Sequence, residues 1–392
     1  MEKVYIVAAQ RTPIGKFNGQ LASKTAVELG AISIKAALKK AGITGADVDQ
    51  VLMGNVIQAG TGQNPARQAA MKAGLGEQVP AITINDVCAS GMSSVDLAAS
   101  LIRAGQAQVI IAGGMESMSQ APYVLPRARN GYRFGNGTLL DAMQSDALND
   151  VYGGYPMGIT AENINDKYQI TRQQQDEFAF TSHQRAVKAQ KAGYFDSEIV
   201  PVEVKQKRTT ITITTDEAPR PDTSVEALGK LKPVFKADGS VTAGNASGIN
   251  DGGAALVLAS ATAIERLGLT PLAEWQGSAI VGLDPALMGL GPYYAINKLL
   301  ANQQLSADEV ETYEINEAFA TQAIVCQDLL HLDPEAVNPW GGALALGHPV
   351  GCSGARIIVT MINEMHKDNH ELGIASLCVG GGMGEAVLLK KM

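Results

Sequence analysis

Two cysteines and one histidine draw attention first, because each sits where a short apolar run meets small, turn-forming residues. Cys88 lies in NDVCASG (85–91), His348 in GHPVGCSGA (347–355) and Cys378 in CVGGGMG (378–384). A thiol that attacks a carbonyl needs a base for its proton, and a carbon acid needs a second base. Two thiols and one imidazole can divide that work, and the chain has only four Cys and five His to supply them. Cys88 falls between a strand pattern and a helix start, where unpaired backbone N–H groups favour thiolate over thiol. Its neighbours Ala89, Ser90 and Gly91 are small enough for a substrate carbonyl to reach those N–H groups. The competing reading is an inert, buried cysteine. His348, on a Gly-lined loop, suits a firmly held base or a hydrogen-bonded structural histidine. Cys378 stands at a strand end, one residue before three glycines, so it is either a strand-end core residue or part of a backbone that lies against a ligand. Asn316, in EINEAFA (314–320), follows a strand and opens a helical pattern; its amide could orient a water or cap the helix. Cys326 and Cys352 read as core residues.

The elements that hold these residues occur twice. In the first half, strand Ala81–Ile84 leads to the Cys88 turn. A helix follows with Met92, Val95, Ala99 and Ile102 on one face, then a cap at Gly105, strand Val109–Ala112 and a turn at Gly113-Gly114. In the second half, Ala336–Asn338 leads to the His348 loop. A helix with Ile358, Val359, Ile362 and Met365 on one face comes next, and then strand Ile374–Val379. Upstream, KKAGITGADVDQVLMGNV (39–56) echoes LANQQLSADEVETYEINEA (300–318), at an offset that stays near 262 residues. Two copies of a β–α–β unit predict a duplicated α/β fold with mixed sheets covered by helices. Residues 119–245 have no counterpart. They contain an irregular Gly/Arg-rich stretch (122–137), a capping box at Thr171-x-x-Gln174 and a strand-like ITITT (211–215), and read as an inserted lid or substrate domain. The organisation expected is a first core domain over 1–118, completed by about 246–268, an insertion over 119–245 and a second core domain over 269–392.

Composition narrows the function. A formal charge of −8 argues against a general binder of nucleic acid or anionic membrane, and no apolar stretch approaches the roughly 20 residues needed to span a bilayer. The N-terminal MEKVYIVAAQRTPIG is neither a signal nor a transit peptide. Four scattered Cys without CxxC give no disulfide framework and no zinc pattern, so a cytoplasmic chain with reduced thiols is expected. There is no P-loop, no GxGxxG after the first strand, no GxSxG elbow and no HExxH.

Taken together, NDVCASG, NEAFA, GHPVGCSGAR and CVGGGMG resemble the nucleophile, Asn, His and second-Cys motifs of the thiolase family. The likeness extends to QRTPIGKFNG (10–19) and TAGNASGINDGGAA (242–255), along essentially the whole chain. The resemblance implies the thiolase fold: duplicated βαβαβαββ core domains in an α/β/α/β/α stack with an inserted loop domain. It implies an acyltransferase that condenses two acetyl-CoA to acetoacetyl-CoA and CoA, reversibly and by a ping-pong route through an acetyl-cysteine. His348 would activate Cys88, and Cys378 would move the C2 proton. One oxyanion site would use His348 and a water on Asn316, and the other the N–H groups of Cys88 and Gly380. Arg220 and Ser247 would bind CoA, with Met157, Phe235, Met288 and Phe319 lining the pantetheine and acyl tunnel. Neither metal nor cofactor is implied beyond the CoA substrates, and the stretch 122–137 resembles a tetramerisation loop, so a homotetramer is expected. Pro156 stands where acetyl-CoA-specific members commonly carry His. The nearest alternative is a 3-ketoacyl-CoA thiolase of broad chain length.

Overall fold

The computed structural model describes residues 2–392. Its main sheet has ten strands, counting the two-residue strand Gly15–Lys16. The first half of the chain contributes β1 (Val4–Arg11), β2 (Gln50–Gly54), β3 (Ala81–Ile84), β4 (Val109–Ser117) and β5 (Asn250–Ser260). They lie in the order β3-β2-β4-β5-β1. The second half contributes β6 (Ala273–Gly282), β7 (Thr312–Ile315), β8 (Leu372–Val379) and β9 (Met383–Lys391), in the order β7-β8-β9-β6. A parallel bridge from Val337 to Tyr313 stands where a further strand would complete the same order. In both halves the outer pairings are parallel and the two nearer the junction of the halves antiparallel. The two halves meet edge to edge through Tyr5–Glu274 and Ile6–Ala273.

Six helices cover these strands: α1 (Ala26–Ala41), α2 (Pro65–Ala73), α3 (Ser90–Arg103), α4 (Gly291–Gln303), α5 (Ala320–Leu330) and α6 (Val350–Asp368). Alternation along the strands assigns them to layers. On β4, Ile110 and Ala112 join a central core with α3 and α6, while Val109, Ile111 and Met115 face α1 and α2. On β9, Val387 and Leu389 face the centre and Ala386 and Leu388 face α4. Strands buried on both faces read as continuous apolar runs, as these do. The result is the duplicated α/β/α/β/α fold. The duplication reaches the connections: Thr44 and Asp47 form a capping box before β2, and Ser306 and Glu309 form its counterpart before β7.

The central helices α3 and α6 cross at glycines. A Cβ on Gly91 would lie 2.7 Å from Ala355 N, and one on Gly354 would lie 2.5 Å from Met92 N. These two contacts are images of each other under exchange of the halves. Helix α6 is buried at every position from Val350 to Ile362, which explains its apolar composition on all sides.

Several local expectations change. Gly113-Gly114 is not a turn; β4 continues through both to Ser117. A Cβ on Gly114 would run into the Gly351 carbonyl, so glycine is there to admit the loop that carries His348. Asn316 does not cap α5, whose N-cap is Phe319. The capping box at Thr171 is present, and the strand-like ITITT forms Thr209–Ile213, paired with Val202–Gln206. Between β4 and β5 the chain also builds helices Gly158–Tyr168 and Arg172–Lys191. That region is tied to β1 through buried Arg11, which forks onto both oxygens of Asp216 (2.7 and 2.9 Å) and donates to Glu198 (2.5 Å). No helix among the described residues is long and apolar enough to cross a membrane, and none of their His, Cys, Asp and Glu side chains cluster as a metal site would require.

Candidate active site

Cys88 and His348 open into one cavity of about 430 Å³, also lined by Met157, Phe235, Ser247, Met288 and Phe319. The region between β4 and β5 supplies much of its wall, including Leu148, Pro156, Val234 and Thr242. Cys378 lies behind this wall, in the apolar cluster that holds Met288 and Phe319 with Met157 and Phe235 packed against it. Phe235 and Phe319 meet edge to face, 6.3 Å between centroids. Segment 246–247 is pinned to the Asn316 loop: Ala246 bridges Phe319, and Ser247 N–H donates to Ala318 O at 2.9 Å. Arg220 is exposed and stands outside the cavity lining; its backbone N–H donates to His183 Nδ1 at 3.2 Å.

The Cys88 turn is a strained one. Val87 has φ of 45°, a value rare for a β-branched residue. It is held by its N–H donating to Asn85 Oδ1 (3.1 Å), while its carbonyl accepts from Ser90 Oγ–H (2.6 Å) and Ser90 N–H (3.2 Å). Strain kept by surrounding bonds in this way is common at reacting centres. The turn aims the sulfur at two backbone donors, the N–H groups of Gly380 and of Cys88 itself. Gly380 can come this close because it has no side chain: a Cβ there would lie 2.5 Å from Met157 Cε and 3.2 Å from Val87 Cγ1.

The expectation of a thiolate-favouring site is not met. Burial pushes the Cys88 thiol up to about 11, and nearby Asp86 adds to this; the two N–H donors offset only part of it. Cys378 is raised well above the ordinary thiol value, again by burial and then by Cys88. Both groups rest as thiols, and each needs a base or a substrate to release its proton.

His348 is buried apart from its opening to the cavity, and burial lowers its imidazole to about 4, so it is neutral and free to accept a proton. Its Nδ1 lies 2.5 Å from Ser353 Oγ, and that hydroxyl donates to Pro349 O at 3.0 Å. One hydroxyl proton cannot serve both bonds; with the hydroxyl on Pro349 O, Nδ1 carries the imidazole hydrogen and Nε2 keeps its lone pair. The backbone is fixed as well: His348 N–H donates to Asn250 Oδ1 at 2.9 Å, and Gly347 reaches this turn with φ of 111°. Asn316 is buried, and neither side-chain Nδ2 nor Oδ1 has a protein partner. A buried amide is rarely left so, and a bound water or substrate atom is the ordinary remedy.

Sequence reasoning missed Ser353, Asn250 and Glu116. Ser353 and Asn250 stand inside quoted motifs, but nothing in their spacing says which atom they touch. Glu116 is fully buried; its two oxygens accept from Asn55 Nδ2 (2.8 Å), Val56 N–H (3.0 Å), Ile57 N–H (3.3 Å) and Gly351 N–H (3.0 Å). It thereby holds the His348 loop on β4.

A duplicated α/β frame with a cysteine and a histidine at the starts of its two central helices defines an acyl-transferring class. The profile for "Thiolase, N-terminal domain" matches residues 4–262, and that for "Thiolase, C-terminal domain" matches residues 269–391. The chain belongs to the thiolase family and is an acyltransferase enzyme. It is 51% identical over 393 residues to an acetyl-CoA acetyltransferase of Escherichia coli (strain K12), and 50% over 392 residues to one of Cupriavidus necator, covering 100% of both chains each time. Among solved structures, it is similar to the Bacillus anthracis acetyl-CoA acetyltransferase (TM-score 0.98, 45% identity, 100% of this chain and 99% of that one). Human mitochondrial 3-ketoacyl-CoA thiolase has nearly the same shape (TM-score 0.97, 41% identity, the same coverage).

Proposed function

We propose that the protein is an acetyl-CoA C-acetyltransferase that condenses two acetyl-CoA to acetoacetyl-CoA and CoA, and runs the reverse thiolysis, by a ping-pong route through acetyl-Cys88. The observation that carries this reading is the shared cavity: a neutral His348 with Nε2 free and a Cys88 whose sulfur faces two backbone N–H groups. The thiol stands near 11 and the imidazole near 4, so a standing thiolate–imidazolium pair is disfavoured. His348 therefore takes the Cys88 proton as the sulfur attacks the thioester carbonyl. The C–S bond to CoA breaks, the CoA sulfur leaves with the proton of the Cys378 thiol, and His348 keeps the Cys88 proton on Nε2. In the second half, the Cys378 thiolate so formed takes a proton from C2 of the second acetyl-CoA, and the carbanion attacks the acetyl group on Cys88. A C–C bond forms, the bond to Cys88 breaks, and the departing sulfur takes its proton back from His348.

The oxyanion sites are assigned within the same reading. The N–H groups of Cys88 and Gly380 hold the carbonyl oxygen of the acyl-enzyme, while His348 Nε2 and a water on the unpartnered Asn316 amide hold the other oxyanion. Ser247, Met157, Phe235, Met288 and Phe319 line the pantetheine and acyl path, and Arg220 stacks on or pairs with CoA outside the cavity. No metal or further cofactor takes part. The protein is assigned to the cytoplasm as a homotetramer, with the exposed side chains of Tyr123, Leu125, Phe134 and Leu139 available for contact between subunits.

Two measurements test this. Incubation with acetyl-CoA alone adds an acetyl group to the Cys88 peptide, read by mass spectrometry. CoA-dependent cleavage of acetoacetyl-CoA then exceeds cleavage of a C8 3-ketoacyl-CoA in kcat/KM. Equal or better use of the long substrate defeats the short-chain assignment, and an unmodified Cys88 defeats the ping-pong route.

A further inference from the structure

Glu385 is a buried carboxyl that the chemistry above does not use. It sits on β9 one residue beyond Gly384, which is paired with Cys378, and on the face of the strand that carries Val387 and Leu389 into the central core. A carboxyl on that face needs a partner, and it finds one in Ser93 on α3. Ser93 Oγ lies 2.7 Å from Glu385 Oε2 and 3.0 Å from Asp86 Oδ2, and Asp86 stands two residues before Cys88.

The proton count at this serine is decisive. A hydroxyl has one hydrogen and can donate to one carboxylate only. Two ionised carboxylates would leave one O···O contact at hydrogen-bond distance with no proton between. The network therefore holds one more proton than ordinary carboxylates would. Glu385 is the costlier site for charge: it is fully buried, its Oε1 has no partner, and no ion pair reaches it among the described residues. The groups that face it are Ser93 and Asp96 on α3, Asp86 on the preceding loop, and the apolar residues Leu377 and Ile280 opposite it on β8 and β6. Asp96 is bonded to Ser278 and has Arg103 as its nearby cation. No cation faces Glu385 itself.

We propose that Glu385 carries a proton in the working enzyme and donates it to Ser93, which in turn donates to Asp86, so that a single negative charge stands behind the Cys88 turn. Glu385 is then a positioning residue for the nucleophile. If it ionised, a second negative charge would oppose the Cys88 thiolate and any oxyanion held by the Gly380 and Cys88 N–H groups. Burial already raises Glu385 well above the usual carboxylate range, in keeping with this assignment. The inference rests on Cys88 as the nucleophile.

The test compares wild type with Glu385→Gln and Glu385→Leu. Difference infrared spectra at pH 7 should show a protonated-carboxyl C=O band in wild type that is missing from both variants; no missing band overturns the proposal. The rate of iodoacetamide labelling at Cys88, followed by peptide mass spectrometry against pH, supplies the second readout. An amide and a neutral carboxyl present the same charge, so the Gln and wild-type profiles part only on the alkaline side, where wild type gains the second charge. There Glu385→Gln should label about threefold faster, which is about half a pKa unit, and Glu385→Leu should share that profile. A Glu385→Gln profile displaced from wild type by the same factor at every pH, neutral pH included, overturns the proposal, because wild type would then carry the second charge throughout. Acetylation of Cys88 by acetyl-CoA is followed in parallel: its absence defeats the nucleophile assignment, while the infrared band still decides who holds the proton.

Discussion

In the first half of the chain, the passage from β3 into α3 carries a cysteine; in the second, the passage from the Val337 bridge into α6 carries a histidine. The two passages occupy corresponding places in one topology, and their helices cross at Gly91 and Gly354 with matching contacts. The fourth strands correspond as well. Glu116 on β4 and Cys378 on β8 stand at the repeat offset, and each is paired across the sheet with a glycine, Gly252 and Gly384. Each reaches into the other half. Glu116 accepts the Gly351 N–H of the His348 loop, and the β8 end brings Cys378 and the Gly380 N–H to Cys88. A duplicated frame thus supplies paired positions, and the residue type at each decides whether it holds a loop or moves a proton. At this place the first half puts a buried carboxyl with four N–H donors, and the second puts a thiol in an apolar cluster, the group proposed above as the base.

The largest effects should come from the two cysteines, Cys88 and Cys378. Cys88→Ala should abolish acetyl-enzyme formation and lower thiolysis by roughly 10⁴-fold or more, checked by mass spectrometry and by loss of the acetoacetyl-CoA signal; retained acetylation would mean that another thiol is the nucleophile. Cys378→Ser should separate the two steps, acetylating at Cys88 while condensation falls by roughly 10²–10⁴-fold. Condensation at the wild-type rate would remove Cys378 from proton transfer and leave the two fourth strands alike as scaffold.

Ser353→Ala frees His348 Nδ1 to lose its hydrogen and the ring to turn. A fall in kcat of about 10- to 100-fold is expected, as for other residues that orient a functional histidine, with KM for acetoacetyl-CoA little changed. Glu116→Gln replaces an acceptor oxygen with a donor facing N–H groups. It should destabilise the fold by about 1–3 kcal/mol, read from urea unfolding; no loss of stability would deny it the role of holding the loop. Gly91→Ala and Gly354→Ala should each cost about 1–3 kcal/mol from overpacking. Because their contacts are images of each other, the two losses should be similar, and the double variant should be non-additive. A large inequality would show that the halves do not share their crossing equally.

The pH dependence of stability offers the smallest and most diffuse test. His348 and His183 are both lowered by burial to about 4, so the unfolded chain binds more protons than the folded one below about 6.5. Their contribution destabilises the protein progressively as pH falls from about 6.5 toward 4. His183→Gln should flatten that part of the curve in thermal melts.

The repeat, the order of elements and the positions of Cys88, His348, Asn316 and Cys378 were legible because they rest on local pattern. Helical spacing at Met92, Val95, Ala99 and Ile102 survives into α3, and the Thr171 box survives as written. Gly113-Gly114 misled because glycine reads as a turn by propensity, whereas here it makes room for another strand-to-helix loop. The thiolate expectation at Cys88 failed for a related reason. A helix start is visible in sequence, but the depth at which the sulfur is buried is not, and desolvation outweighed the backbone donors.

What the sequence by itself determined is the inventory: two copies of one α/β unit, two cysteines, a histidine and an amide, each at the end of a predictable element. Periodicity and turn chemistry act within a few residues, so they can be read from a single chain. Only the tertiary structure decided which atoms of that inventory meet. The His348 Nδ1 contact with Ser353, the Gly380 N–H at the Cys88 sulfur, the Glu116 grip on Gly351 and the contacts of Ser93 with Glu385 and Asp86 all join residues brought together by packing. Each depends on distances of a few tenths of an ångström and on exclusion of water, which no local rule of sequence carries.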